Sequence, residues 1–228
     1  MRANSGKMSV KTLVSGAILT ALVIILQFMG AFIRFGPFSI SLVLIPIVIG
    51  AAICGIGIST WLGFVFGLVV LLSGDAAAFM VVDVAGTIVT VLVKGTLCGL
   101  LAGLTYRGVL KLLTCHSDRQ IRIMKKQYGL GDCCQTGVSQ FVSRNHRYVA
   151  VLAAAVVCPV VNTGIFLLGC LLFFMETVAE WASASGLNGQ VGYYMIFGLV
   201  GANFLFELAF NLVLSPIVVR IVRARKKI

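Results

Sequence analysis

Asn203-Phe-Leu-Phe-Glu207-Leu-Ala-Phe-Asn211-Leu-Val-Leu-Ser215 is the stretch on which the rest of the reading depends. It lies inside an apolar run from Gly192 to Val219. A run of that length can cross a bilayer, which takes roughly 20 helical residues. Within it Asn203, Glu207, Asn211 and Ser215 recur every four residues, so at helical period they form one slowly drifting stripe. Glu207 sits near the middle of the run. An unpaired carboxylate at that depth costs at least several kcal/mol, so it must turn inward, find a partner or hold its proton. The stripe therefore faces other helices or an internal cavity, and the other spans are arranged around it.

The composition supports this. Of 228 residues 60% are hydrophobic and 11% are charged, and the mean hydropathy is +1.07. A soluble domain carries about 25% charged residues. The class expected is an all-α integral membrane protein. A membrane β-barrel would show short alternating segments, whereas these runs are continuous. The net charge of +11 raises the question of nucleic acid, but the basic residues fall at span ends, where membrane topology explains them. The 7 cysteines are scattered, several within apolar runs, and are expected as free thiols. Cys115, His116, Cys133, Cys134 and His146 match no zinc spacing. Neither a metal nor a cofactor is expected. The segment after Lys11 is long enough to remain as an anchor, so no cleaved leader is expected.

Residues 1–228 read as a single domain of six membrane helices, at about 12–33, 39–53, 58–72, 84–106, 148–174 and 192–219. Pro46 makes the second short or kinked, and Pro159 falls inside the fifth. Arg34-Phe-Gly36-Pro37 breaks the chain after the first span, and Cys54-Gly-Ile-Gly57 is a tight turn. Residues 73–83 and 175–191 are further breaks, and 107–147 reads as a polar loop. Sixteen of the 18 Lys and Arg residues lie in the N-terminal tail, the 107–147 loop or the C-terminal tail. By the positive-inside rule both termini and that loop are cytoplasmic.

Lys94 lies near the middle of span 4, as Glu207 does in span 6. Opposite charges at one depth suggest an ion pair, which can bridge the two helices, line a ligand cavity, or do both. Asn162 and Thr163 follow Pro159, while Thr87 and Thr90 in span 4 and Asn203 in span 6 occupy the outer half. Singly, each suits a hydrogen bond between helices. Together they point to the outer half of one cavity. Arg34 and Asp75, in the outer breaks, belong to a lid over it, with Arg34 as interfacial anchor or as contact for an anionic group. Ala17 and Ala21 form a smooth patch on span 1, and Gly63, Gly67, Gly95, Gly99 and Gly103 make similar patches on spans 3 and 4. No phosphate-cradling loop and no His-Glu-x-x-His is present.

With these residues in view, the chain resembles the substrate-binding S components of energy-coupling factor (ECF) vitamin transporters. The resemblance rests on the six spans, the short second span and Ala17-x-x-x-Ala21. It rests also on the runs Leu44-Ile-Pro-Ile-Val-Ile-Gly50, Leu71-Leu-Ser-Gly-Asp-Ala-Ala77, Lys94-Gly-Thr-Leu-Cys-Gly-Leu100, Cys158-Pro-Val-Val-Asn-Thr-Gly-Ile-Phe166 and Asn203-Phe-Leu-Phe-Glu-Leu-Ala-Phe-Asn211. It covers nearly the whole chain except 112–143. The resemblance implies a binding subunit in the plasma membrane of a prokaryote. That subunit takes a vitamin-like small molecule from outside, docks through Ala17 and Ala21 on a coupling transmembrane subunit driven by two cytoplasmic ATPases, and topples to release its ligand. It implies a pocket at the outer side, under the loops joining spans 1–2, 3–4 and 5–6; by depth Arg34, Asp75, Asn162, Asn203 and Glu207 fall near it, and intramembrane Lys94 is a further candidate contact. No enzymatic activity is implied for this chain.

Two rivals remain at this level. One is a small membrane enzyme using Glu207 as base and Lys94 as electrostatic partner. The other is a self-sufficient secondary transporter, for which inverted repeats would speak. Arg34 and Lys94 suit a carboxylate-bearing vitamin such as pantothenate, unless Glu207 neutralises Lys94. Few aromatic residues fall beside the polar stripe, which speaks against a large flat ring.

Overall fold

The computed structural model describes residues 10–31, 34–35, 38–39, 41–128 and 133–225; the side chains of 34–39, 118, 120–144, 223 and 225 lie outside that description. Helix α1 (Val10–Ala31) leads into a hairpin of two-residue strands, β1 (Arg34–Phe35) and β2 (Phe38–Ser39), in which Arg34 pairs with Ser39. Helices α2 (Leu44–Ile53), α3 (Ile56–Leu72), α4 (Ala77–Met80), α5 (Val84–Tyr128), α6 (Cys133–Phe173) and α7 (Met175–Ala184) follow. The chain ends on one continuous rod, made of α8 (Val191–Tyr193), a π-helical stretch (Tyr194–Gly201) and α9 (Ala202–Arg225).

Among the described residues, four stretches are long and apolar enough to cross a membrane: Val10–Ala31, Val84–Ser117, Asn145–Phe173 and Val191–Val222. Two more apolar helices, Leu44–Ile53 and Ile56–Leu72, are shorter. Helix α2 begins at Leu44 rather than residue 39, because Phe38–Ser39 form β2 and residues 42–43 are a turn. Pro46 falls in its first turn, where a backbone N–H has no helical partner anyway, so α2 is short and carries no interior break. With Leu44, Ile47 and Val48 at most 1% exposed, α2 is a buried plug among α1, α3, α5, α6 and α9. Gly55, at φ +93°, makes the turn into α3, in a backbone region that favours glycine.

Between apolar helices in lipid there is little hydrophobic drive, so close van der Waals contact holds the bundle. The α3–α5 seam shows it. A Cβ on Gly63 would fall within 3.0 Å of the Gly95 carbonyl oxygen, and one on Gly99 within 3.0 Å of the Ser59 carbonyl oxygen. The glycine stripes of spans 3 and 4 thus serve packing within the chain. On α1 the buried stripe is Gly16, Leu19, Val23, Gln27 and Gly30. Ala17 and Ala21 lie on the exposed side, among Val14, Ile18 and Ile25.

The segment 107–147, expected as a loop, is helical in its backbone on both sides of 129–132. Polarity suggested the loop, but Lys, Arg, Gln, Leu and Met are good helix formers. After Gly108 no glycine or proline interrupts the sequence until Gly129. At ~1.5 Å per residue, the part of α5 beyond Tyr106 adds about 33 Å of rod.

Candidate functional site

The stripe that opened the reading faces inward. Glu207 and Ser215 are each 1% exposed and Asn211 is 4% exposed, while Asn203 is half-buried at a cavity wall. The Glu207 carboxylate accepts hydrogen bonds from the Asn203 side-chain amide on its own helix (3.1 Å) and from the Asn162 amide on α6 (3.4 Å). Ser41, just before α2, lines the cavity beside this cluster. Helix α6 continues without a gap through Pro159, so Asn162 projects from a regular turn.

Next to this cluster is a cavity that gives water centres about 60 Å³ of room. Its walls come from α1, α3, α4, α5, α6 and the last rod, and include Gln27, Asp75, Thr90, Lys94, Asn162 and Asn203. Glu207 stands behind the two asparagines rather than on the wall. The Lys94 ammonium lies 5.2 Å from the Phe166 ring centroid and 5.9 Å from that of Phe66, within cation–π range. Among the described residues, no carboxylate oxygen comes within 4.0 Å of it. The direct Lys94–Glu207 pair expected from their common depth is therefore not formed. The asparagine amides take up the carboxylate, and Lys94 meets Glu207 and Asp75 only at longer electrostatic range.

A second carboxylate–amide pair lies on the wall. Gln27, 1% exposed, donates its amide N–H to Asp75 at 2.5 Å, and the Ser73 hydroxyl donates to the same oxygen at 3.3 Å. Gln27 was not anticipated, although it is the only amide side chain in span 1 and shares the helical stripe with Gly16, Leu19 and Val23. Aromatic rings, expected to be few, in fact form one side. Phe79 on α4 makes edge contacts with Phe166 (5.6 Å), Phe174 (4.9 Å) and Trp181 (5.4 Å), and Phe79, Phe166 and Phe174 all line the cavity. Phe79 was missed because residues 73–83 read as a break between spans, whereas α4 places Phe79 in the bundle at 3% exposure.

Of the residues expected at the site, Asp75, Lys94, Asn162 and Asn203 share this cavity and Glu207 braces two of them. The Arg34 backbone belongs to β1, and its side chain lies outside the described residues, as do the side chains of Cys133 and Cys134. The π-helical stretch, which no sequence pattern announced, ends at Gly201 just before Asn203 and carries the lining residues Leu199 and Val200. Each π turn shifts the side chains that follow around the helix axis, and such turns recur at functional sites.

The structure is thus an apolar helix bundle with four stretches able to cross a membrane, enclosing a polar, partly aromatic cavity. The chain belongs to the ECF transporter, substrate-specific component family, whose model matches residues 11–219. Its fold is that of ThiT from Listeria monocytogenes, at a TM-score of 0.60 and 17% sequence identity over 95% of this chain and 96% of that one. Comparison with curated proteins finds no match. The chain is thus a transport subunit, and its family implies a small-molecule substrate and an ECF module as partner.

Proposed function

We propose that this chain is the high-affinity binding subunit of an ECF-type importer for a water-soluble vitamin or related micronutrient. It lies in the plasma membrane with six spans and both termini cytoplasmic. Its substrate site is the cavity between Lys94, Asp75, Asn162 and Asn203. The observation that carries this reading is the set of buried amide oxygens that share the cavity with Lys94 and find no hydrogen-bond donor among the described residues. Unmet buried polar groups are costly, and a polar solute from outside would satisfy them. Arg34, near the mouth by sequence, is the further candidate contact.

The short helices α2 and α3 complete the six spans in this reading: α2 is shielded by its neighbours and α3 is welded to α5 by glycine. Docking on the coupling subunit uses the exposed Ala17–Ala21 face of α1, and two partner ATPases supply the energy. Small side chains let a partner helix approach closely. Glu207 does not front the cavity, which speaks against its use as a general base in a membrane enzyme.

The test is uptake in cells expressing this chain with and without an ECF module. Uptake is expected only with the module, and Ala17→Trp or Ala21→Trp should abolish it while leaving substrate binding to the purified chain intact. Uptake without any module, or full transport by both tryptophan variants, would overturn the reading.

A further inference from the structure

We infer that the cavity takes a small ring-bearing molecule, neutral or cationic overall, that donates N–H or O–H groups to the amide oxygens of Gln27, Asn162 and Asn203 and offers one acceptor to Lys94. This rests on the reading of the cavity as the substrate site. It departs from the carboxylate-bearing ligand that Arg34 and Lys94 suggested from sequence.

The first ground is the direction of the amides. An Asn or Gln amide has a donor side and an acceptor side, and the two are told apart by their partners. A carboxylate accepts only. Glu207 receives the N–H₂ sides of Asn162 and Asn203, and Asp75 receives that of Gln27. Two carboxylates therefore turn three amides the same way. Their carbonyl oxygens are left over, buried and without a hydrogen bond among the described residues, as is the Thr90 hydroxyl. Gln27, Asn162 and Thr90 are 1%, 5% and 6% exposed, and all of these groups line the cavity. The cavity thus presents several acceptors and, in Lys94, one strong donor. A complementary solute has the reverse pattern.

Charge is the second ground. Among the described residues the charged groups at the cavity are Lys94 and Asp75, with Glu207 behind the asparagines. Among these groups one carboxylate at the wall and one behind it outnumber the single ammonium, a balance that favours a neutral or cationic solute over an anion. Size and lining are the third. At ~10–15 Å³ per water centre, the available room corresponds to about four to six waters, a volume suited to one substituted ring rather than to fused rings. Phe79, Phe166 and Phe174 give that ring faces and edges to pack on.

The experiment measures thermal stabilisation and affinity of the purified full-length chain against matched probes: nicotinamide with nicotinate, pyridoxamine with 4-pyridoxate, and panthenol with pantothenate. The strongest stabiliser is expected to be nicotinamide or pyridoxamine, about tenfold or more tighter than its carboxylate counterpart, the worth of one hydrogen bond to a charged group. Gln27→Met should weaken that binding about three- to tenfold. A carboxylate as the strongest ligand would overturn the inferred class, and panthenol as the strongest would overturn the ring. If no probe shifts the melt, native mass spectrometry of the chain purified from rich medium separates the two claims. A retained molecule of another class overturns this inference alone, while an empty protein overturns the substrate site as well.

Discussion

Glu207→Leu removes the acceptor that orients two amides, and the cost can be worked from the geometry. Glu207 is 1% exposed and takes one hydrogen bond from Asn203 at 3.1 Å and a longer one from Asn162 at 3.4 Å. Hydrogen bonds to charged groups are worth about 1.5–3 kcal/mol in soluble proteins, but those between membrane helices average about 0.6 and reach about 1.7. Leucine also leaves the Asn162 donor buried without a partner, at about 1–3 kcal/mol, while half-buried Asn203 can turn to the cavity. The expected loss for Glu207→Leu is about 2–4 kcal/mol. Glu207→Gln keeps the shape and one accepting oxygen. Its own N–H₂ forces one asparagine to reverse, so the loss should be about 1 kcal/mol. Reversible unfolding of the purified chain by titrated denaturing detergent, read by circular dichroism, measures both. The order expected is wild type, then glutamine, then leucine. A leucine variant as stable as wild type, or equal losses for the two, would refute the orienting role of the carboxylate.

Other consequences follow from the same contacts. Gly99→Val should destabilise by about 1–3 kcal/mol in the same titration, because the new side chain meets the Ser59 backbone rather than a movable side chain. Gly57→Ala, where an added Cβ meets nothing within 4 Å, should stay within about 0.5 kcal/mol of wild type. Equal behaviour of the two would contradict the glycine seam. Phe79→Ala should cost about 3–5 kcal/mol, since it opens a hole among Phe166, Phe174 and Trp181. It should also raise the dissociation rate of bound solute, measured by stopped-flow fluorescence of those aromatic residues. An unchanged rate would mean that α4 does not close the cavity.

Four long helices able to cross a membrane were legible because lipid demands long apolar runs. The inward stripe of Glu207 was legible for the same reason, since a carboxylate has nowhere else to go. What failed was inference from polarity to loop. Beyond Tyr106 the chain leaves its apolar run but keeps helix-forming residues, and nothing stops the helix before Gly129. The site was half legible. Depth along each helix placed Asp75, Lys94, Asn162 and Asn203 together, but depth says nothing about azimuth. It therefore suggested a direct Lys94–Glu207 pair where two amides intervene. Gln27 was not legible because a lone amide in an apolar span makes no polar stripe, and its place on the buried face emerges only from the packing of α1. The aromatic wall depends on the fold-back of α4, and the setting of Asn203 follows a π turn, neither of which has a sequence period to announce it.

The most direct test of the cavity as the substrate site is native mass spectrometry of three purified forms for a retained small molecule. Thr90 is 6% exposed on the cavity wall, so Thr90→Phe fills the space, whereas Val93, 41% exposed on the outer face of the same helix, accepts phenylalanine without touching it. Wild type and Val93→Phe should retain the same bound mass, and Thr90→Phe should be empty while still folded by circular dichroism. Retention of that mass by Thr90→Phe would place the substrate elsewhere in the protein.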